Sequence, residues 1–203
     1  MTDGSREVLK NMARGIAFVG VLPSLISYRV KALFIGADRA LEGSSQALSL
    51  VPGLPGRYMR QVFFSSVLAQ CAPTVAIEFG TLFSQPGAQL EEQVYIGPRC
   101  HLGLVHIGAY TMLGPGVQIP SGAHTHRHSD VDAPIQSQGL SRQLVHIGEG
   151  CWIGANAVIM ADVGSNSIIG AGAVVTRPIP SNVVAGGIPA CVIKERASGD
   201  VAP

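Results

Sequence analysis

Three histidines stand at alternate positions within the segment from Ile119 to Asp132, which reads IPSGAHTHRHSDVD. They are His124, His126 and His128, and in an extended segment alternate side chains project to the same side. A histidine, with an ordinary pKa of about 6.5, can take up and release a proton near neutral pH, and its ring nitrogens also bind metal ions. The segment is therefore predicted to carry acid–base or metal chemistry.

The histidine segment interrupts a regular repeat, in which aliphatic residues recur every six residues with one step of five. The aliphatic residues before it are Leu90, Ile96, Leu102, Ile107, Leu113 and Ile119. Those after it are Ile147, Ile153, Ile159, Val163, Ile169 and Val175, with the step to Val163 short by two. This period is neither that of a helix nor simple alternation. It predicts a coil with three flat sides per turn and the aliphatic residues pointing inward.

Smaller residues near the end of each step, such as Cys100, Thr111 and Cys151, are predicted to fill the space beside the aliphatic residue. Gly97, Gly103, Gly108 and Gly114 each follow an aliphatic residue, where a missing Cβ is expected to help the chain turn a corner. Cys100 and Cys151 are therefore interpreted as packing residues rather than reactive thiols.

Composition excludes several classes of protein. The chain has 203 residues, 47% of them hydrophobic, which fits one domain with an extension. Charged residues make up only 13% and the formal net charge is +1, which argues against nucleic-acid binding and indicates surface buried between subunits. The four cysteines form no C-x-x-C pair, which favours a reducing compartment and predicts a cytoplasmic protein.

Residues 1–72 lack the repeat and are predicted to form an N-terminal helical extension. Within it, Arg57 to Leu68 has helical spacing, and we expect it to pack on the main domain or, alternatively, to rest on a membrane with Arg57 and Arg60 at the headgroups. The apolar run from Ile16 to Tyr28 contains Pro23 and falls short of the roughly 20 residues that span a bilayer. The repeat domain is predicted over 73–195, with a projecting loop at 125–145 and a tail at 196–203.

The repeat units IGPRCH, IGAYTM, IGEGCW and IGANAV, with the closing run TRPIPSNVVAGGIPACVIK, resemble those of the hexapeptide-repeat acyltransferases. Within that family the chain is most similar to bacterial O-acetyltransferases of sugars and surface polysaccharides, over residues 75–195. The resemblance implies a left-handed parallel β-helix and a homotrimer with active sites between neighbouring coils. Prolines close the repeat, and the end of the chain is predicted to fold back as a short C-terminal helix.

The resemblance also implies an acetyl-CoA co-substrate and an acceptor hydroxyl on a sugar, another small molecule or a glycan precursor. His124 matches the family's general base, which removes the acceptor's proton during attack on the thioester. His126 is the alternative base. Asp130 and Asp132 are candidates to orient the imidazole or bind sugar hydroxyls, or else belong to a solvated loop.

For the donor, the resemblance assigns coenzyme A to a groove along the second set of repeats. Ala155 and Ala171 match backbone contacts to the pantetheine arm, while Thr176, Arg177 and Lys194 match residues near the nucleotide. Trp152 matches a tryptophan beside the groove, with plain packing as the alternative. The shortened step before Val163 and the presence of Cys191, where the family often has a basic residue, both depart from the family pattern.

A second interpretation concerns metal. His106 and His124 are three six-residue steps apart, so they are predicted to stack on adjacent coils, where His101 or His126 would complete a site. The carbonic-anhydrase-like members of the same fold bind zinc between subunits. A zinc protein or a non-catalytic trimeric scaffold therefore stands as the alternative function.

Overall fold

The computed structural model describes residues 3–123, 125 and 129–196. The described chain begins with three helices, α1 (Asp3–Ile35), α2 (Ala37–Ser49) and α3 (Gly53–Val67). Sixteen short strands follow within these residues. They are β1 (Gln70–Cys71), β2 (Ala76–Ile77), β3 (Leu82–Phe83), β4 (Gln89–Leu90), β5 (Tyr95–Ile96), β6 (His101–Leu102), β7 (Val105–Ile107), β8 (Met112–Leu113), β9 (Gln118–Ile119), β10 (Val145–Ile147), β11 (Trp152–Ile153), β12 (Val158–Ile159), β13 (Ile168–Ile169), β14 (Val174–Val175), β15 (Val183–Gly187) and β16 (Ala190–Glu195).

The strands stack into a β-solenoid of about six turns with three parallel faces, as the six-residue period predicts. The first face has the order β1-β4-β7-β10. The second has the order β2-β5-β8-β11-β13-β15-β16, and the third has the order β3-β6-β9-β12-β14. All pairs are parallel except β15 with β16. At the shortened step, Val163 forms only isolated bridges to Ile147 and Ile179 on the first face.

The solenoid core consists of the predicted aliphatic residues, all of which are buried. The companion residues Cys100, Thr111 and Cys151 are buried beside them, which confirms their packing role. Cys71, Ile77 and Phe83 form one further inward set below Leu90, because the first coil begins at β1.

Glycine at the corners is required for a different reason from the one predicted. A Cβ added to Gly97 would lie 2.8 Å from the Leu113 carbonyl oxygen of the next coil. At Gly114 it would lie 2.8 Å from the backbone nitrogen of Ala155. Neither glycine has a positive φ. The close approach of the neighbouring coil, rather than the turn itself, therefore selects glycine there.

The three helices cover the open end of the first coil. Aromatic rings connect the two layers: Phe63 packs edge-on against Tyr28, with ring centroids 6.1 Å apart, and Phe64 lies 4.5 Å from Phe83 inside the solenoid. Because an uncovered coil would expose its core, the helices act as its cap. Of the two roles predicted for the segment from Arg57 to Leu68, the structure supports packing on the main domain.

The alternative that places Arg60 at lipid headgroups is wrong, since its side chain is 0% exposed. Its guanidinium donates hydrogen bonds to the carbonyl oxygens of Ile77 (3.0 Å), Leu48 (3.2 Å) and Val51 (2.7 Å). Burial lowers the pKa of Arg60 below its usual value. Arg57, one helical turn earlier, forms a partly exposed ion pair with Glu78.

The prediction that no N-terminal run is long enough to span a membrane is also wrong. Within α1, residues Val8–Ile35 are long and apolar enough by length and composition to cross one, and only 11% of the most apolar window is buried. Pro23 lies inside this helix without ending it.

The described chain ends in strand structure, and the tail where the C-terminal helix is predicted lies almost entirely outside the described residues. β15 and β16 form an antiparallel pair, in which Val184 lies beside Lys194 and Gly187 beside Ala190. This pair adds β16 as the last strand at the edge of the second face. Residues after Arg196 lie outside the described part of the chain.

Burial predicts the reactivity of the four thiols. It raises the pKa of Cys71 to about 12 and that of Cys100 to about 11, and it also raises the pKa of Cys151. Cys191 is exposed. Since the thiolate is the reactive form, we expect a thiol reagent at about pH 8 to label Cys191 in the native protein and all four cysteines in denaturant. Rapid native labelling of a second thiol would contradict this assignment of burial.

Candidate active site

The loop after β9 leaves the solenoid through a hydrogen-bonded base. The Gln143 backbone N–H donates to the Ser121 carbonyl oxygen, and the Ser141 N–H donates to the Thr125 carbonyl oxygen, both at 2.9 Å. The Thr125 hydroxyl donates to the Pro120 carbonyl oxygen at 2.7 Å and closes the turn between them. The predicted bases His124 and His126 lie outside the described residues. Thr125, which stands between them in the sequence, is described and marks where this segment runs.

A cavity of about 480 Å³ adjoins the base of this loop. Thr125 and Arg142 line it on the loop side, and His101 and Gln118 line it on the third face of the solenoid. His101 and Gln118 lie next to each other in register on β6 and β9. The cavity therefore places polar side chains of two neighbouring coils beside the segment that carries the predicted base.

Helix α2 forms the remaining polar wall of the cavity. Asp38, Arg39 and Glu42 line it, while the opposite side of α2 buries Ala40 and Leu41. Glu42 follows Asp38 by four residues and Arg39 by three, and these spacings bring side chains together on a helix surface. Carboxylates and guanidinium groups together provide both acceptors and donors of hydrogen bonds.

An ion pair joins the helix wall to the loop. An Nη atom of Arg142 lies 3.1 Å from a carboxylate oxygen of Asp38, and both side chains are partly exposed. An ion pair this exposed contributes little to folding stability. Its consequence is geometric, because it connects α2 to the returning arm of the loop across the cavity.

A second cavity, of about 620 Å³, lies at the corner between the second and third faces. Arg99, Pro115 and Asn156 line it, and so does Gln118. Gln118 is thus shared with the first cavity. The two cavities are neighbours on the third face, one leading to the loop and the other to the coil corner that carries Ala155.

The structure aligns two of the residues predicted to contact the donor. Ala155 and Ala171 occupy the same corner on successive coils, where the Gly172 N–H donates to the Ala155 carbonyl oxygen at 2.8 Å. Within the described part of the chain, neither alanine's backbone N–H has a hydrogen-bond acceptor. Trp152 lies nearby on the second face, 56% exposed, in register with Met112 and Ile168.

The other predicted donor residues lie elsewhere. Thr176 and Arg177 follow β14 and are exposed at the opposite edge of the third face from Ala171. Lys194 is exposed on β16, at the end of the second face. These residues surround the upper coils without forming a single cluster with the two alanines.

The two aspartates of the loop serve its local structure. A carboxylate oxygen of Asp130 accepts a hydrogen bond from the Asp132 backbone N–H at 3.0 Å. The Gln138 side chain brackets Asp130, donating to its carbonyl oxygen at 2.7 Å and accepting from its N–H at 3.1 Å. Neither aspartate lines the first cavity.

On the first face, β10 places His146 in register beside His106, and the predicted neighbour His124 lies outside the described residues. The two rings are 5.6 Å apart, and His106 Nε2 lies 2.9 Å from Glu91 Oε1. Among the residues that the structure describes, no group of three potential ligands could hold a metal ion. His101, considered above as a ligand, lies instead in the first cavity.

Sequence reasoning did not identify the helix wall or Arg142. The pattern of α2 separates small residues at 40, 44 and 45 from charged residues at 38, 39 and 42, which was a usable signal of two different environments. The partner of the charged side depends on how α2 docks on the solenoid, which periodicity does not contain.

The repeats match a known family. Residues 144–177 match the family model described as bacterial transferase hexapeptide (six repeats). Together with the solenoid, this match confirms the resemblance to hexapeptide-repeat acyltransferases. No curated protein sequence matches the chain.

Solved structures extend the comparison. The chain is similar to a maltose O-acetyltransferase from Clostridium difficile, with 26% sequence identity, a TM-score of 0.60, and coverage of 79% of this chain and 89% of that one. A galactoside acetyltransferase in complex with coenzyme A has 23% identity and a TM-score of 0.59, covering 81% and 84%. An N-acyltransferase from Bacillus cereus has 16% identity and a TM-score of 0.51, covering 61% and 71%; the last two show the fold alone.

Proposed function

We propose that the protein transfers an acetyl group from acetyl-CoA to a hydroxyl group of a sugar or glycan precursor. The observation that carries this proposal is the pair of cavities that share Gln118. One adjoins the loop that contains the predicted base, and the other adjoins the corner of Ala155. A donor and an acceptor bound in these two cavities would meet on the third face.

The corner of the upper coils suits the donor. The pantetheine arm of coenzyme A is an amide chain. The N–H groups of Ala155 and Ala171, which have no acceptor among the described residues, are separated by one coil, about 4.8 Å. Such N–H groups can bind an extended amide chain in the way a strand edge binds a peptide. Arg177 and Lys194 would bind phosphate groups of the nucleotide, and Trp152 would lie beside the arm.

The cavity beside the loop suits a polyhydroxyl acceptor. Asp38 and Glu42 can accept hydrogen bonds from hydroxyl groups, while Arg39 can donate to them. Gln118 can both donate and accept hydrogen bonds, and it lines both cavities. The maltose O-acetyltransferase among the similar structures supports a sugar as the acceptor.

The reaction needs one base and no covalent intermediate on the protein. His124 accepts the proton of the acceptor hydroxyl as its oxygen attacks the thioester carbonyl carbon. The carbon–sulfur bond then breaks, and the departing thiolate takes up the proton from the imidazolium. His126 is the alternative base. We further propose a cytoplasmic homotrimer, because the scarcity of charged residues fits burial between subunits and the lack of a C-x-x-C pair fits a reducing compartment.

The two binding sites can be tested separately through their Michaelis constants. We expect Arg177→Ala to raise the KM for acetyl-CoA about ten- to a hundredfold, because a hydrogen bond to a charged group is lost. Glu42→Gln, which preserves the shape of the side chain, is expected to raise the KM for the acceptor alone. Steady-state kinetics with each substrate varied in turn measures both. If both substitutions change the same KM, the assignment of the cavities is wrong.

A further inference from the structure

An uninterrupted stripe of apolar side chains runs along the outer side of α1. Its members are three to four residues apart, all are exposed, and none carries a charge. They are Val8, Met12, Ile16, Val19, Leu22, Ile26, Val30 and Leu33. At 1.5 Å per residue the stripe is about 38 Å long. Exposed apolar surface of this extent and continuity is typical of an interaction site.

The opposite side of α1 is already occupied. Ala17, Val21 and Tyr28 are buried, and the helix packs along both α2 and α3. Arg14 and Arg29 fasten it further, donating to the carbonyl oxygens of Pro73 (3.1 Å) and Ser66 (3.4 Å). A helix held in this way along its length would have to leave its partners to cross a bilayer. The stripe can meet a flat apolar phase without any such change.

The charged residues of α1 from Val8 onward are all of one sign. Between Val8 and Ile35 the charged residues are Lys10, Arg14, Arg29 and Lys31, all of them basic. Basic residues beside an apolar helix face are typical of helices that lie in the headgroup region of anionic membranes.

An apolar groove adjoins the stripe between α1 and the start of α3. Its volume is about 390 Å³, and Ile16, Leu54 and Met59 are among the residues that line it. Ile16 and Leu54 are both exposed at its rim. A groove without charged lining that is continuous with the stripe can take the end of a hydrocarbon chain.

We propose that the α1 stripe and this groove bind the surface of an anionic lipid bilayer, with α1 lying in the plane of the membrane. The site differs from the segment of Arg57 to Leu68 that the sequence suggested, because that segment is largely buried. The proposal does not depend on acyl transfer, so it can fail or hold independently of the function proposed above.

The test is flotation of the full-length protein with vesicles. Wild-type protein is expected to float with vesicles of phosphatidylcholine containing one-third phosphatidylglycerol, and less with phosphatidylcholine alone. Added salt should weaken this binding by screening the basic residues. The double variant Ile16→Glu/Ile26→Glu replaces side chains that are 74% and 63% exposed, and we expect it to bind at least about tenfold more weakly.

The matched control is Ile193→Glu, which changes a side chain that is 69% exposed on β16, far along the chain from α1. It should float as wild type does, and both variants should keep the wild-type melting temperature. Failure of wild type to float, or equal flotation of the double variant, would overturn the proposal. So would a double variant that changes the mass of the oligomer, because the stripe would then be a subunit interface.

Discussion

Replacing His124 by alanine is expected to lower kcat by about 10² to 10⁴, the usual contribution of a positioned general base. Acetyl-CoA should still bind, because the proposed donor contacts lie on other coils. The rate is measured by release of the free thiol in the presence of an acceptor. Binding of coenzyme A is measured separately by calorimetry.

Two further histidine variants make this test specific. His126→Ala should lower kcat less than His124→Ala does. His106→Ala should keep close to the wild-type rate, because His106 pairs with Glu91 on the first face and lines neither cavity. A larger loss with His126→Ala would reassign the base, and unchanged turnover of the His124 variant would remove it from the mechanism.

Replacing Arg60 by methionine is expected to destabilise the fold by about 3 kcal/mol or more, because each buried acceptor left without a donor costs about 1 to 3 kcal/mol. The substitution removes the side-chain donor from three carbonyl oxygens, in Leu48, Val51 and Ile77, of which that of Leu48 keeps the Val51 N–H as a donor. These oxygens belong to the end of α2, the link to α3 and the first coil. Arg60 therefore joins the helical cap to the solenoid at a single point. Unfolding in denaturant measures the loss.

Arg57→Met is the matched control for this substitution. The two arginines are three residues apart on α3, but the side chain of Arg57 is partly exposed in its pair with Glu78. Exposed ion pairs contribute about 1 kcal/mol or less, so the control should unfold near the wild-type midpoint. Equal destabilisation by the two substitutions would contradict the role given to Arg60.

The solenoid could be predicted because its repeat is local. Each inward residue is set by the same six-residue step, so Ile96 or Ile153 could be assigned without knowledge of any other part of the chain. The first coil was not identified as part of the repeat, because its step from Phe83 to Leu90 has seven residues and starts from an aromatic side chain. The corner glycines were assigned correctly but explained wrongly, since their neighbours lie one coil away.

Features that depend on docking could not be predicted. Periodicity gives α3 two sides, but it does not say that Arg60 is on the buried one. In the same way, Asp38 and Glu42 become part of a cavity only because α2 packs beside β3. The register position of His146 beside His106 was not predicted either, because the excursion loop leaves before the coil closes.

The length of the apolar helix α1 was underestimated from the sequence. Pro23 and four basic residues divide its apolar residues in sequence, yet the helix continues through them and gathers the apolar residues on one side. The chemistry of the histidine segment was predicted from residue type and from the break in the repeat. Its histidines lie outside the described residues, and Thr125 within the segment lines a cavity.

The most direct test of the proposed function uses the wild-type protein with acetyl-CoA and a panel of sugars and glycan precursors. Release of free thiol is followed in solution, and the masses of the products are measured by mass spectrometry. We expect thiol release that depends on one acceptor and a product heavier by one acetyl group on a hydroxyl. Coenzyme A that neither binds nor is released with any acceptor, together with stoichiometric zinc in the purified protein, would contradict the proposal and favour the metal alternative.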